Sequence, residues 1–245
     1  MYKTLKKIIQ LVLPKKLLFG LEPIFRFFIF QTYKGTGFSC PICRKSFKQF
    51  INLEDGDKLC PSCGSIARTR RLYSILDSKY LKSDINFLDF SPSRSLYRFF
   101  KKQSDLNYIG TDLSNDFISD VKYDVTQINS ADSSFDLITC YHILEHIPND
   151  VKAMQELFRV LKPTGTCIIQ TPFKSGETYE NEAVKTDAER LEHFGQIDHV
   201  RIYSVEGLKN RLMNVGFHVE VLLFNELPNN ELGYQTEERI LICTK

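Results

Sequence analysis

Two Cys-x-x-Cys pairs constrain this chain more than any other feature. Cys40-Pro-Ile-Cys43 is followed, after sixteen residues, by Cys60-Pro-Ser-Cys63. Each pair can aim two thiolates at one point. Two such turns on facing hairpins make the tetrahedral four-sulfur shell that zinc prefers, and the spacing falls inside the zinc-ribbon pattern. Pro41 and Pro61 stiffen the turns, and Gly64 supplies the tight bend after the second. A redox dithiol and an iron–sulfur cluster are the cytosolic alternatives, and two matched Cys-Pro-x-Cys pairs favour zinc. Four cysteines close the shell, so the metal is expected to hold a fold and do no chemistry. A module of about 40 residues cannot bury enough core to fold alone. Zinc can supply on the order of 10 kcal/mol.

The other cysteines, Cys140, Cys167 and Cys243, lie in apolar runs and read as buried free thiols. Free thiols without a signal-peptide pattern point to a reducing cytoplasm. A length of 245 residues allows one to two domains. The net charge of +2 gives no bulk reason to bind nucleic acid or membrane. Charge is uneven, however. Lys3, Lys6, Lys7, Lys15, Lys16 and Arg26 crowd the N-terminus, with no acidic residue before Glu22. Residues 1–35 read as short amphipathic helices, basic and apolar, broken near Pro14 and Pro23. They either pack on the protein's own core or dock at the inner face of a membrane. No run approaches the roughly 18 apolar residues of a transmembrane helix. Residues 36–80 read as the zinc ribbon and a connecting helix. There Arg68, Arg70 and Arg71 read as a solvated face, with nucleic-acid contact as the alternative.

From residue 81 to 245 short apolar strands alternate with helical stretches. Strands are expected over residues 85–90, 108–112, 135–141, 166–171, 219–224 and 239–244. Helices are expected over 95–102, 150–161 and 204–215, the second burying Val151, Met154, Leu157, Phe158 and Leu161. Such alternation implies an α/β fold with a parallel sheet covered on both faces. Its ligands bind beyond the carboxyl ends of the strands. Acids stand at those ends. Asp89 closes the first strand, Asp112 the second, and Asp124 follows a third short extended stretch. An acid after the second strand can accept both hydroxyls of a ribose.

The stretch Phe135-Asp-Leu-Ile-Thr-Cys-Tyr-His-Ile-Leu-Glu-His-Ile-Pro148 and the stretch Glu156-Leu-Phe-Arg-Val-Leu-Lys-Pro-Thr-Gly165 together resemble the class I S-adenosylmethionine (SAM)-dependent methyltransferases. The similarity is to the ubiquinone and menaquinone methyltransferase-like group, type 11. It covers roughly residues 81–245. The cysteine pairs joined to that domain, with Phe194-Gly-Gln-Ile-Asp-His-Val-Arg-Ile-Tyr203, also resemble a set of bacterial methyltransferase-domain proteins. The resemblance implies a Rossmann-like fold, a mostly parallel seven-stranded sheet with helices on both faces. It implies that Asp112 holds the ribose, that Asp124 and Val125 flank the adenine, and that Tyr141 and His142 lie beside the methionine part. Asp89 and Ser91 belong to the first motif, where acid-x-Gly-x-Gly is replaced by Asp89-Phe-Ser-Pro-Ser93. Glycines there let backbone approach the cofactor, and Pro92 removes a donor.

Methyl transfer from a sulfonium needs an aligned acceptor and a group to take its proton. Candidate bases are His142, His146, His193 and His199, with His146 favoured because it follows the fourth strand. His142-Ile-Leu-Glu145-His146 also matches a zinc-protease pattern. That pattern must sit inside a helix, whereas here it follows a strand and runs into Ile147-Pro148. Residues 172–203 read as a long lid over the acceptor, carrying Glu177, Tyr179, Glu180, Arg190, His193, His199 and Arg201. The expected function is methylation of an oxygen or nitrogen on a small-molecule or glycan-linked acceptor, with structural zinc. RNA base methylation and a non-catalytic SAM-binding scaffold are the alternatives. The modest net charge speaks against RNA.

Overall fold

A computed structural model describes residues 15–114 and 117–245. The break expected near Pro14, and Lys3, Lys6 and Lys7, lie outside those residues. The chain forms two compact units. The first takes in the described residues up to Tyr80, with Ser93–Lys102 and Asn225–Thr236. The second takes in Leu81–Pro92, Gln103–Phe224 and Glu237–Lys245.

The first unit opens with helix α1 (Lys15–Tyr33), which runs unbroken through Pro23. The break expected there is absent. A proline in a helix frees the carbonyl four residues back, here that of Phe19, and Arg98 Nη2 donates to that carbonyl at 2.6 Å. Arg98 and Arg26 also converge on Glu22, at 2.9 and 2.7 Å. Strands β1 (Lys34–Ser39) and β2 (Ser46–Phe47) pair antiparallel, as do β3 (Ile51–Asn52) and β4 (Lys58–Leu59). Helix α2 (Ala67–Ile75) follows and ends in a π-helical turn, Leu76–Tyr80. Helix α3 (Arg94–Phe100) also belongs here, and the Ser93 hydroxyl caps it by accepting from Leu96 N.

Arg70 and Arg71 do not form a solvated face. Arg70 is fully buried and donates to the carbonyls of Leu232, Lys58, Ser65 and Gly233, with its guanidinium over the Phe50 ring. Arg71 pairs with Glu226 at 2.6 Å and lies over Tyr234. The segment 225–236, far away in sequence, covers what local spacing presents as an open helix face.

The second unit is built on a sheet ordered β11–β12–β8–β7–β5–β6. Its strands are β5 (Asn86–Phe90), β6 (Asn107–Thr111), β7 (Phe135–Tyr141), β8 (Leu161–Gln170), β11 (His218–Asn225) and β12 (Glu237–Thr244). Strands β6, β5, β7 and β8 run parallel, and β12 returns antiparallel to β8. This is the Rossmann-like methyltransferase architecture, with six strands among the described residues where seven were expected. The missing strand corresponds to the stretch around Asp124. That stretch makes only isolated bridges, Thr111 to Val121 and Asp124 to Gln127.

Central parallel strands are buried on both faces and so read as continuous apolar runs. Leu88, Phe90, Ile138, Cys140, Cys167, Ile169, Leu241 and Cys243 share one core with helices α4 (Asp150–Val160) and α6 (Val205–Val215). All three strand cysteines are buried free thiols. The buried face of α4 is Ala153, Met154, Leu157 and Val160. Met154 and Leu157 lie on it as expected, Leu161 is buried just past the helix and Phe158 packs against the core, whereas Val151 is 43% exposed.

Residues 172–203 carry more structure than a loop. They contain β9 (Tyr179–Glu180) paired with β10 (Arg201–Ile202), and helix α5 (Asp187–Phe194) between them. A capping box, Thr186 with Glu189, starts α5, and Gly195 at φ +80 ends it.

Candidate active site

In a doubly wound sheet the chain leaves its first strand toward one side and later returns to the other. Ligands bind at that reversal, beyond the carboxyl ends. Here the reversal lies between β5 and β7. The residue after each strand has a left-handed backbone without being glycine: Ser91 at φ +48 and His142 at φ +54. Such conformations cost on the order of 1–3 kcal/mol and collect at functional sites. Ser91 thus adopts the turn that a glycine would make in this motif. Its N–H donates to Thr111 O at 2.7 Å, and its hydroxyl to Asp112 Oδ1 at 2.9 Å.

Asp112 follows β6 and is only 4% exposed. It accepts hydroxyl bonds from Ser91 and Ser114, the latter at 3.0 Å. Two hydroxyl donors are what a ribose diol offers. Asp89 is placed differently. Thr139 Oγ1 and Tyr108 Oη donate to its two oxygens at 2.5 and 3.0 Å, inside the sheet. Burial outweighs those bonds and raises its carboxyl to about 7. Val125 lies in the apolar core, and Asp124 Oδ1 accepts from the N–H and hydroxyl of Thr126. Tyr141 ends β7 half-buried. Beside these ends three buried atoms, His142 Nε2, Gln170 Oε1 and Thr171 Oγ1, find no hydrogen-bond partner among the described residues. Buried polar atoms ordinarily have partners. A polar ligand with no pyrophosphate, such as SAM, fits this set.

Past His142 the chain makes a 3-10 turn, Leu144–His146. Because the turn is not part of a long helix, the protease-like pattern has no helical face to act from. It nevertheless gathers a cluster. His142 Nδ1 lies 3.2 Å from Glu145 Oε1. The rings of His146 and His199 meet edge to face, 4.6 Å between centres. Glu145, His146 and His199 each offer a ligand atom, all within 4.8 Å of one another. Burial pushes the Glu145 carboxyl up, but the hydrogen bond and charge of His142 prevail and hold it below its ordinary range. Burial, then the charge of His146, lower the His199 imidazole.

Thus His142, His146 and His199 are brought together, and His193 is not. It is bonded to Tyr179 Oη at 2.7 Å. Glu180 and Arg201 of the expected lid form structural ion pairs instead. Arg201, buried, binds Glu180 and the carbonyls of Leu144, Ile147 and Pro148. Arg211 binds Asp150 and Glu180 at 2.6 and 2.5 Å, and Tyr203 Oη donates to Asp150. The participation of Glu145 escaped the sequence reading. Its signal was a carboxylate flanked by His142 and His146. An open groove near Asn86, Asn107, Tyr108 and Phe135 lies at the amino ends of the strands, opposite to where this topology binds ligand.

In the first unit the two cysteine knuckles are built alike. Arg44 N donates to Cys40 O and Gly64 N to Cys60 O. Arg44 and Gly64 both have positive φ, +55 and +75. The sulfurs of Cys40 and Cys63 are 3.6 Å apart, and those of Cys43 and Cys60 are 3.8 Å apart. Those spacings are far too long for disulfides. Four sulfurs at about 2.3 Å from a tetrahedral zinc lie roughly 3.8 Å from one another, so the shell fits the metal.

The family defined by a methyltransferase domain matches residues 66–222, well over half of the chain. The chain belongs to the methyltransferase-domain family. Its fold is that of the class I methyltransferases. The chain is 27% identical over 84 residues to a ubiquinone biosynthesis O-methyltransferase of Psychrobacter arcticus. That match spans 34% of this chain and 33% of the relative. A SAM-dependent methyltransferase from Archaeoglobus fulgidus has the same fold, with a TM-score of 0.53 and 17% identity over 74% of this methyltransferase and 95% of that chain. Phosphoethanolamine N-methyltransferase 2 of Haemonchus contortus aligns with a TM-score of 0.51 and 15% identity, over 72% of this chain and 52% of its own.

Proposed function

We propose that this methyltransferase moves the SAM methyl group onto an oxygen or nitrogen of a polar small-molecule or glycan-linked acceptor. The His142–Glu145–His146–His199 cluster at the carboxyl end of β7 carries the reading. It puts proton-accepting groups at the end of the sheet where the acceptor must lie. Asp112 holds the ribose, and Ser91, Tyr141 and His142 border the cofactor. SAM supplies an activated methyl on a sulfonium. The protein's task is to align the acceptor and receive its proton. Glu177 and Arg190 of the inserted segment 172–203 supply mixed charge, which favours a polar acceptor. His146, whose side chain is 27% exposed, is the cluster histidine offered for test. His146→Ala is expected to lower kcat by about 100-fold or more while leaving SAM affinity unchanged. A rate within twofold of the parent rules the cluster out.

In the first unit Cys40, Cys43, Cys60 and Cys63 hold zinc as a structural ion. Burial of Arg70 and Arg71 removes the basic patch that favoured RNA. Helix α1 exposes Ile24, Phe25, Phe27 and Phe28, the last by 65%. With the lysines before it, this helix is proposed to rest on an anionic membrane surface. Among the described residues no helix is long and apolar enough to cross a membrane. Co-sedimentation with anionic but not neutral vesicles, lost in Phe27→Glu/Phe28→Glu, is the expected result. Equal recovery with both vesicle types contradicts it.

A further inference from the structure

The cluster beyond β7 has more donors than a proton acceptor needs. Glu145 is 1% exposed, and its Oε2 accepts no hydrogen bond among the described residues. A buried carboxylate oxygen without a partner is unfavourable, and a hydrogen-bond donor or a cation relieves it. One imidazole, that of His142, already faces Oε1. Two more, His146 and His199, stand within 4.8 Å of the same carboxylate.

We propose that Glu145, His146 and His199 form a divalent-cation site, separate from the four-cysteine shell, and that the cation binds the acceptor through a hydroxyl oxygen. Two imidazoles and one carboxylate suit zinc, iron(II) or manganese, and three protein ligands leave positions open for an acceptor or water. The surroundings are those of an outer shell. Asp198 reaches His146 Nδ1 through its carbonyl at 3.3 Å and its carboxylate at 3.2 Å. Such partners orient metal-bound imidazoles. His142 plays the same part for Glu145.

The ligands also come from segments locked to each other. Val200 N donates to Glu145 O at 2.9 Å, and Arg201 Nη1 to Leu144 O at 2.9 Å. His199 is therefore delivered to Glu145 by the inserted segment itself. A simple acid–base pair would not need that delivery. The strained backbone of His142 at the head of the turn fits a preorganised site.

This inference rests on the proposed methyl transfer and narrows its acceptor to a hydroxyl. Bound to a cation, a hydroxyl gives up its proton near neutral pH. With His146 and His199 engaged as ligands, that proton passes to solvent, and the two imidazoles serve proton removal through the cation instead of accepting it themselves. The hydroxyl's oxygen lone pair then forms the O–CH3 bond as the S–CH3 bond breaks, and the sulfonium leaves as a neutral thioether.

The test is a cobalt(II) titration of the full chain with zinc already in the cysteine shell, followed by calorimetry and visible absorption. One further equivalent of cobalt is expected, without thiolate charge-transfer bands. Its affinity should fall about tenfold or more in His146→Ala and in His199→Ala, and should be unchanged in His193→Ala. Thermal melts and SAM titration show which variants remain folded. If His199→Ala does not fold, the partly exposed His146 still decides. No second equivalent, or equal affinity in a folded His146→Ala, overturns the site. Methyl transfer by enzyme that binds no second cation also overturns it and leaves the proposed methyltransferase function standing.

Discussion

The two units of this protein are held together by different physics. The second is a sheet of six strands with helices α4 and α6 on one continuous apolar core. In the first, β2, β3 and β4 are two residues each. Around them converge four sulfurs and one buried guanidinium, that of Arg70, beside buried apolar side chains such as Phe47, Phe50 and Leu72. With zinc in the proposed four-cysteine shell, coordination and charged hydrogen bonds would add to the limited apolar area that such short elements bury. Each region also stores its specificity differently. The metal shell is specified by a local spacing. The cleft is specified by the ends of strands far apart in the chain.

The largest effect that separates them is metal removal. Chelation, or Cys60→Ser, should cost the first unit on the order of 10 kcal/mol and leave the sheet of the second intact. Hydrogen exchange read by mass spectrometry should show protection lost over residues 34–75 and retained over 135–170. Uniform loss across both would mean that the two regions fold as one and would remove the contrast.

Next comes the second unit's own buried charge. Arg201 joins Glu180 and three carbonyls, and breaking such a group typically costs about 3–5 kcal/mol. Arg201→Ala should lower the unfolding midpoint and release residues 172–203 to proteolysis, with zinc content unchanged. A midpoint within error of the parent would show that the segment is held by something else.

How much of this was readable in the sequence divides along the same line. Cys40, Cys43, Cys60 and Cys63 could be grouped because a metal knuckle is a local motif. The strands β5, β7 and β8 were readable because a doubly covered strand is apolar throughout. Arg70 and Arg71 were misread, since the segment that covers them lies some 160 residues onward. The same limit hid His199 beside Glu145: neither residue's neighbours in sequence hint at the other. Helix α5 carries its own start and stop signal, Thr186-x-x-Glu189 with Gly195, inside a stretch whose length and mixed charge alone point to a lid. Proline 23 was misjudged because the donor that rescues the freed carbonyl, Arg98, is 79 residues from Phe19.

A smaller effect is expected from pH. The Asp89 carboxyl is raised to about 7 by burial. The unfolded chain ionises it near its ordinary value, so folded and unfolded states differ between about pH 4 and 7. Stability from this group is full below that window and declines as pH rises through it, by on the order of 4 kcal/mol. Asp89→Asn should flatten the midpoint-versus-pH curve over that range. An unchanged slope would show that Asp89 is already ionised in the fold.

The central claim is that the carboxyl ends of β5, β6 and β7 form a working SAM cleft despite Ser-Pro-Ser in place of glycines. Calorimetric titration of the zinc-loaded protein with SAM and with S-adenosylhomocysteine tests it most directly. Binding of both, abolished in Asp112→Ala, is the expected result. Binding of neither, or binding that survives Asp112→Ala unchanged, would contradict the claim.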